Sequence, residues 1–445
     1  MTTPRRWFRP AVALGLGLAW GAGPTPRVRS AIADDPPPAR AEPAAEGRPA
    51  PEERDPYDPR QVEGTVAFWE GRARDDPRGA FARRELAGAY LARQRETGDI
   101  RDAVRAEQAA RQSLEILPGN AGALNRLARS LLAQHRFPEV LDLAKQAAAI
   151  DPQAHRLIAD VSLELGDYDA AERALAEIPD QPEDLNLMAL RARVLELNGK
   201  PDRALELMQE ARRQADGRSD LPHETVAWYH TMVGHALIDS GKLDEGEKAC
   251  RRALEVFPRD YRAMTGLAEA AAWRGDWEGA IARGREAIAA CPQNPEILRL
   301  LGDAYAELGK AEEAEEQYRL LKELARSFPR IYDRHWVLFC ADTGRELDEA
   351  LALARKDLEL RQDVHAFDTL AWVCFKKGLQ REAEATMPKA LARGTQDASL
   401  FHHAGLIARA GGDRAEAEEH LARARALNPY LMKAEDVAKP ASGKD

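Results

Sequence analysis

Leu301-Gly302-Asp303-Ala304-Tyr305-Ala306-Glu307-Leu308-Gly309-Lys310-Ala311-Glu312-Glu313-Ala314 is the stretch whose reading decides the fold. Leu298, Leu301 and Tyr305 recur at i, i+3 and i+7, one face of a helix, and Tyr318 and Leu321 carry a matching stripe on the next. Gly309 ends the first helix, because glycine takes a left-handed backbone without a Cβ penalty, and the second helix starts within a few residues. Two helix axes passing at roughly 8 to 10 Å leave no room for a large side chain, and Gly302 and Ala314 fall at that crossing. The unit is a tight helical hairpin.

The same order returns on both sides of it. Leu267-Ala268 leads to Gly275-Asp276-Trp277, Ala280, Ala287 and Pro292, and Val233-Gly234 leads to Gly241-Lys242-Leu243, Ala253 and Pro258. Pro258 and Pro292 lie 34 residues apart, as do Pro118 and Pro152. Leu370-Ala371, Gly378 and Ala383 are followed 34 residues later by Ala404-Gly405, Gly412 and Ala417, and Asn428-Pro429 closes the series. This register resembles the tetratricopeptide repeat, with large residues on its first helix, a small residue at the crossing, Ala on its second helix and a closing Pro. The resemblance implies an all-α, right-handed superhelical solenoid of about ten helix-turn-helix units. In such an array each unit packs only on its neighbours, so 445 residues need no single oversized core.

Some units depart from the pattern. Arg95-Glu96-Thr97-Gly98-Asp99 predicts a lengthened turn in the first full unit, and the unit holding Gly166-Asp167 closes early, near Pro179 to Pro182. Residues 214–222 are polar and read as a longer connection, a joint between sub-arrays at 78–218 and 219–430. Residues 61–77 form a single amphipathic helix through Val62, Val66 and Trp69, placed to cap the first unit's outward face. Residues 34–60 are Pro, Ala, Glu and Arg with few large apolar side chains and read as a disordered tether. Residues 431–445 read as a short helix and tail.

Residues 1–33 have the form of an export signal. Arg5, Arg6 and Arg9 precede an apolar run, Ala11 to Gly23, and Ala31-Ile32-Ala33 supplies a small-x-small cleavage site. That run is too short to span a bilayer, so the mature chain is expected outside the cytoplasm, periplasmic or extracellular, with no integral membrane span. Losing the leader's five Arg takes the net charge from −10 to −15, which disfavours nucleic acid as a partner. The four Cys show no pairing motif and read as buried apolar side chains.

The chain carries no recognisable catalytic motif. His223-Glu224 begins like the helical zinc-protease motif, but Ala227 stands where the second His is required, and Gly241-Lys242 is followed by Leu243 where a phosphate loop needs Ser or Thr. His402 and His403 are adjacent on a helix and point apart. No catalytic residue, metal site or cofactor is expected.

The family resemblance implies that the first helix of each unit lines the concave side and holds the binding groove. Mapped here, that groove is Trp228, His235, Arg262, Glu269, Trp273, Arg299, Asp303, Arg334, Trp372, Phe375, Lys376, His402 and Arg409, with Arg299 and Arg409 exposed. Aromatic and Arg side chains anchor peptides by contact area and charge-assisted bonds. The sequence thus points to a non-enzymatic scaffold that binds a protein or peptide in its groove. The alternative is a substrate-holding subunit of an envelope enzyme acting on wall glycan or peptide. It does not fix the oligomeric state.

Overall fold

The computed structural model describes residues 55–149, 151–179 and 183–431. The export signal, residues 34–54 of the tether, and the C-terminal helix and tail from 432 onward lie outside the described residues. Those described form 21 α-helices and no strand.

A leading helix, α1 (Arg60–Asp75), is followed by ten hairpins. They are α2 (Ala80–Thr97) with α3 (Ile100–Ile116), α4 (Ala121–Ala133) with α5 (Phe137–Ala148), α6 (His155–Leu165) with α7 (Tyr168–Ala176), and α8 (Leu185–Leu197) with α9 (Pro201–Asp216). Then come α10 (His223–Asp239) with α11 (Leu243–Val256), α12 (Tyr261–Trp273) with α13 (Trp277–Ala290), and α14 (Pro295–Glu307) with α15 (Ala311–Ser327). The last three are α16 (Asp333–Thr343) with α17 (Leu347–Leu360), α18 (Val364–Lys376) with α19 (Gln380–Leu391), and α20 (Ala398–Gly411) with α21 (Arg414–Leu427).

The crossing in the α14–α15 hairpin is as tight as its sequence demands. A Cβ on Gly302 would lie 2.3 Å from the Tyr318 ring, so the aromatic of the second helix fills the space a side chain would take. Ala314 is buried beside it. The first hairpin differs from expectation. Arg95 to Thr97 add a turn to α2 rather than to the connection, and Gly98 caps that longer helix with φ 71°.

Successive hairpins are pinned by helix caps that serve two units. Asp260 accepts from the Arg262 and Ala263 amides at the start of α12 and also from Thr231 Oγ1 of α10, at 2.7 Å. Asn294 caps α14 through Glu296 and Ile297 while donating to Thr265 Oγ1 of α12, at 3.0 Å. Asp363 caps α18 and accepts from Arg334 of α16 at 3.0 Å. Each cap satisfies orphan amides and fixes the offset between neighbouring hairpins.

The connection at 214–222 does not interrupt the core. His230 Nε2 bonds Asp216 at 2.8 Å across it, and one apolar cluster holds Leu190 of α8, Ala211 of α9 and Trp228 of α10, with Leu221 packed against it. Tyr57, assigned to the tether, is ordered instead. It meets Phe257 edge-on at 4.9 Å and donates to Glu96 at 3.1 Å, because its ring finds an apolar seat there.

The first helices of neighbouring hairpins touch one another: α2 meets α4, α6 meets α8, α10 meets α12, α12 meets α14, α16 meets α18 and α18 meets α20. They form the inner wall, with the second helices outside. The coil makes two turns, and the turns touch. Ile100 N donates to Gln293 Oε1, His135 Nδ1 meets the Arg330 carbonyl, and Gln362 N donates to the Leu165 carbonyl. Thr395 Oγ1 donates to the Leu197 carbonyl at 2.6 Å and Asn428 Nδ2 to the Asp239 carbonyl at 3.1 Å. In each pair the turn of one of the first five hairpins meets the loop that follows the hairpin five places later. One superhelical turn therefore takes between five and six hairpins.

Candidate binding surface on the inner wall

The inner wall holds the residues expected to line a groove, and most of them are buried. Trp228, His235, Glu269, Arg299, Asp303, Arg334, Trp372 and His402 are all enclosed, Arg299 among them against the expectation of exposure. Arg262, Trp273, Phe375 and Lys376 are half-buried, and Arg409 is exposed. The cause is partner supply from adjacent first helices, which the coil brings within bonding distance.

Around Trp372 the wall becomes one network. Its indole Nε1 donates to Asp342 Oδ1 at 2.7 Å, and Asp342 also accepts from Arg299. Arg299 lies 3.5 Å from Asp303, which accepts from the Tyr318 hydroxyl at 2.6 Å. His403 stacks on Trp372 at 4.1 Å and bonds Asp368 at 2.9 Å. Phe375 stacks on Trp372 as well, at 5.3 Å, and the Lys376 ammonium sits 5.2 Å from the indole centroid. Burial works against protonation of His403, but the Asp368 carboxylate outweighs it and holds the pKa above its ordinary value. The same balance, burial overcome by Asp342 and Asp303, keeps Arg299 charged.

Arg299, Asp303, Trp372, Phe375 and Lys376 are thus brought together. Trp228 and Arg334 belong elsewhere: Trp228 packs on Tyr229, and Arg334 bridges Asp357 and Asp363. His235 bonds the Arg262 carbonyl at 3.0 Å and lies 3.6 Å from Glu269. The reading from sequence missed Asp342 and Asp368. Asp342 stands two residues before the turn glycine Gly344, as Glu164, Asp239 and Glu307 stand before Gly166, Gly241 and Gly309, and that recurring acid is the signal that could have found it.

Phe375 and Lys376, half-buried, and the exposed Arg409 lie near the C-terminal ends of α18 and α20, two first helices in contact. All four cysteines are free thiols and buried. Among the described residues no group of His, Cys, Asp or Glu is placed to hold a metal ion, and no helix is long and apolar enough to cross a membrane.

Paired helices stacked in register, with contact side chains on one wall, define a repeat scaffold of the protein-interaction class. The sequence pattern of the tetratricopeptide repeat matches residues 156–219 and 231–295, and a second tetratricopeptide-repeat pattern matches 274–333. The chain is a tetratricopeptide-repeat protein. Solved structures that resemble it include yeast Tom70, at 12% identity over 83% of this chain and 89% of that one, with a TM-score of 0.35. A tetratricopeptide repeat protein of Parabacteroides merdae shares 18% identity over 57% of this chain and 95% of that one, TM-score 0.34. A thermophilic TPR protein of Thermus thermophilus shares 24% over 44% and 99%, TM-score 0.34. No curated protein matches the sequence.

Proposed function

We propose that this protein is a non-enzymatic scaffold, working outside the cytoplasm, that takes an extended segment of a protein partner along the inner wall at the rim formed by Phe375, Lys376 and Arg409. The observation that carries the reading is an aromatic and two cations near the ends of adjoining first helices, with Phe375 and Lys376 set against the buried, bonded network of Trp372, Asp342, Arg299 and His403. Preorganised anchors of this kind lower the ordering cost of binding. Export rests on the Arg-led, apolar, small-x-small leader.

A Phe375→Ala, Arg409→Ala double variant used as bait against envelope extract tests the rim, because neither side chain is fully buried and the fold should survive. A specific protein recovered by the native chain and reduced at least tenfold by the variant is expected. Equal recovery of every protein would remove the rim as the contact.

A further inference from the structure

The two kinds of interface in this molecule differ in chemistry. Between neighbouring hairpins the contact is an apolar core, continuous from Ala268 of α12 through Leu421 of α21. Between the two superhelical turns it is mainly polar, with Leu360 and Val364 of the second turn as the apolar exceptions that pack on the first. Arg361 donates to the Glu164 carboxylate at 2.9 Å and to its carbonyl at 3.2 Å, and Val364 N donates to the Tyr168 hydroxyl. Arg393 pairs with Glu172, Arg95 with Glu224, and Arg262 with the Arg95 carbonyl. Carbonyls of Leu165, Leu197 and Asp239 accept further bonds, beside those of Ile100 to Gln293 and His135 to Arg330. Water can replace every one of these bonds, whereas parting the hairpins would expose apolar area at about 25 cal/mol per Å². Polar contacts between units of one chain behave as transient interfaces.

We propose that the coil is gated: the first turn lifts off the second along this polar seam, each hairpin staying intact, and the open coil is the form that admits a partner to the inner wall. The second half rests on the inner wall being the binding face; the lifting itself does not. Its reporter is built in. Cys291, between α13 and α14, is covered by Gly98 of the first turn, where an added Cβ would stand 2.4 Å from its Sγ. Cys250, Cys340 and Cys374 lie within hairpins, on α11, α16 and α18.

Iodoacetamide pulse-labelling of the full chain, read by peptide mass spectrometry, tests this. In the native protein Cys291 is expected to react ahead of the other three. Thr395→Val and Arg361→Ala weaken the seam at hairpins remote from Cys291, so if the seam parts as a unit they raise Cys291 labelling about tenfold and about a hundredfold respectively. Labelling of the other three thiols and the far-ultraviolet circular dichroism stay unchanged, while the radius of gyration from X-ray scattering grows. Thr395→Val alone suffices should Arg361→Ala fold poorly. Cys291 reacting no faster than its siblings, or indifferent to both variants, overturns the gate. A rim variant that loses its partner while the Cys291 response persists would remove the binding reading and leave the gate standing.

Discussion

The turns of the first five hairpins and those of the last five are built alike and live in different surroundings. Gly166 and Gly309 both follow a first helix with a left-handed φ, 81° and 72°. A Cβ on Gly166 would lie 2.3 Å from the Gln362 carbonyl, and equivalents on Gly98, Gly199 and Gly241 would strike Cys291, Gly394 and Pro429. On Gly275, Gly309, Gly344, Gly378 and Gly412 it would meet nothing within 4 Å. The same residue is thus needed once for backbone freedom alone and once for freedom plus closeness. In the second hairpin His135 takes the left-handed position with φ 54° and spends its ring on the facing Arg330 carbonyl.

The largest expected contrast concerns charge. Arg361→Ala strips a partner from the buried Glu164 at a covered turn and should cost about 3 kcal/mol, the range for breaking an enclosed ion pair. Arg345→Ala removes the pairing with Glu315 at an open turn, where solvent reaches both groups, and should cost under about 1 kcal/mol. Urea unfolding of both variants measures this, and equal losses would erase the distinction between the two regions.

Gly166→Ala against Gly309→Ala separates crowding from backbone strain. Both pay about 1 to 2 kcal/mol for a left-handed alanine. Gly166→Ala also presses on the second turn's backbone, adding about 1 to 3 kcal/mol. Matching thermal midpoints would show that the turns do not press on one another.

The last contrast is a pH dependence. Burial, then the nearby Arg361, pushes His135 down to about 4 from its ordinary 6.5. Between those values the unfolded chain binds a proton that the folded one refuses, so stability is lost as pH falls from about 6.5 toward 4. His135→Asn, which tolerates the left-handed backbone, should flatten that part of the curve. An unchanged slope in melting temperature between pH 7 and pH 5 would count against His135 as its source.

The hairpins were legible because glycine at most turns, small residues at the crossings and proline at most closes are local demands that recur at about 34 residues. The seam was not. It joins residues 129 to 221 positions apart, and whether two turns meet depends on small rotations summed over five hairpins, which no single residue declares. The wall stood in the middle: Trp372 and Arg299 were placed on the correct helices. Their burial followed from Asp342, 30 and 43 residues away in sequence, whose role needs the stacked geometry to be seen.

The double-duty caps and the seam together fix how many hairpins this chain can have. An open solenoid gains or loses a unit freely, since each addition touches only what flanks it. Here a hairpin inserted after α11 would slide every later loop by one place against the turns below, setting Arg361 opposite the wrong acid and leaving Leu197 and Asp239 without donors. Insertion within the winding is forbidden. A closed winding turns an extensible array into an object of set length.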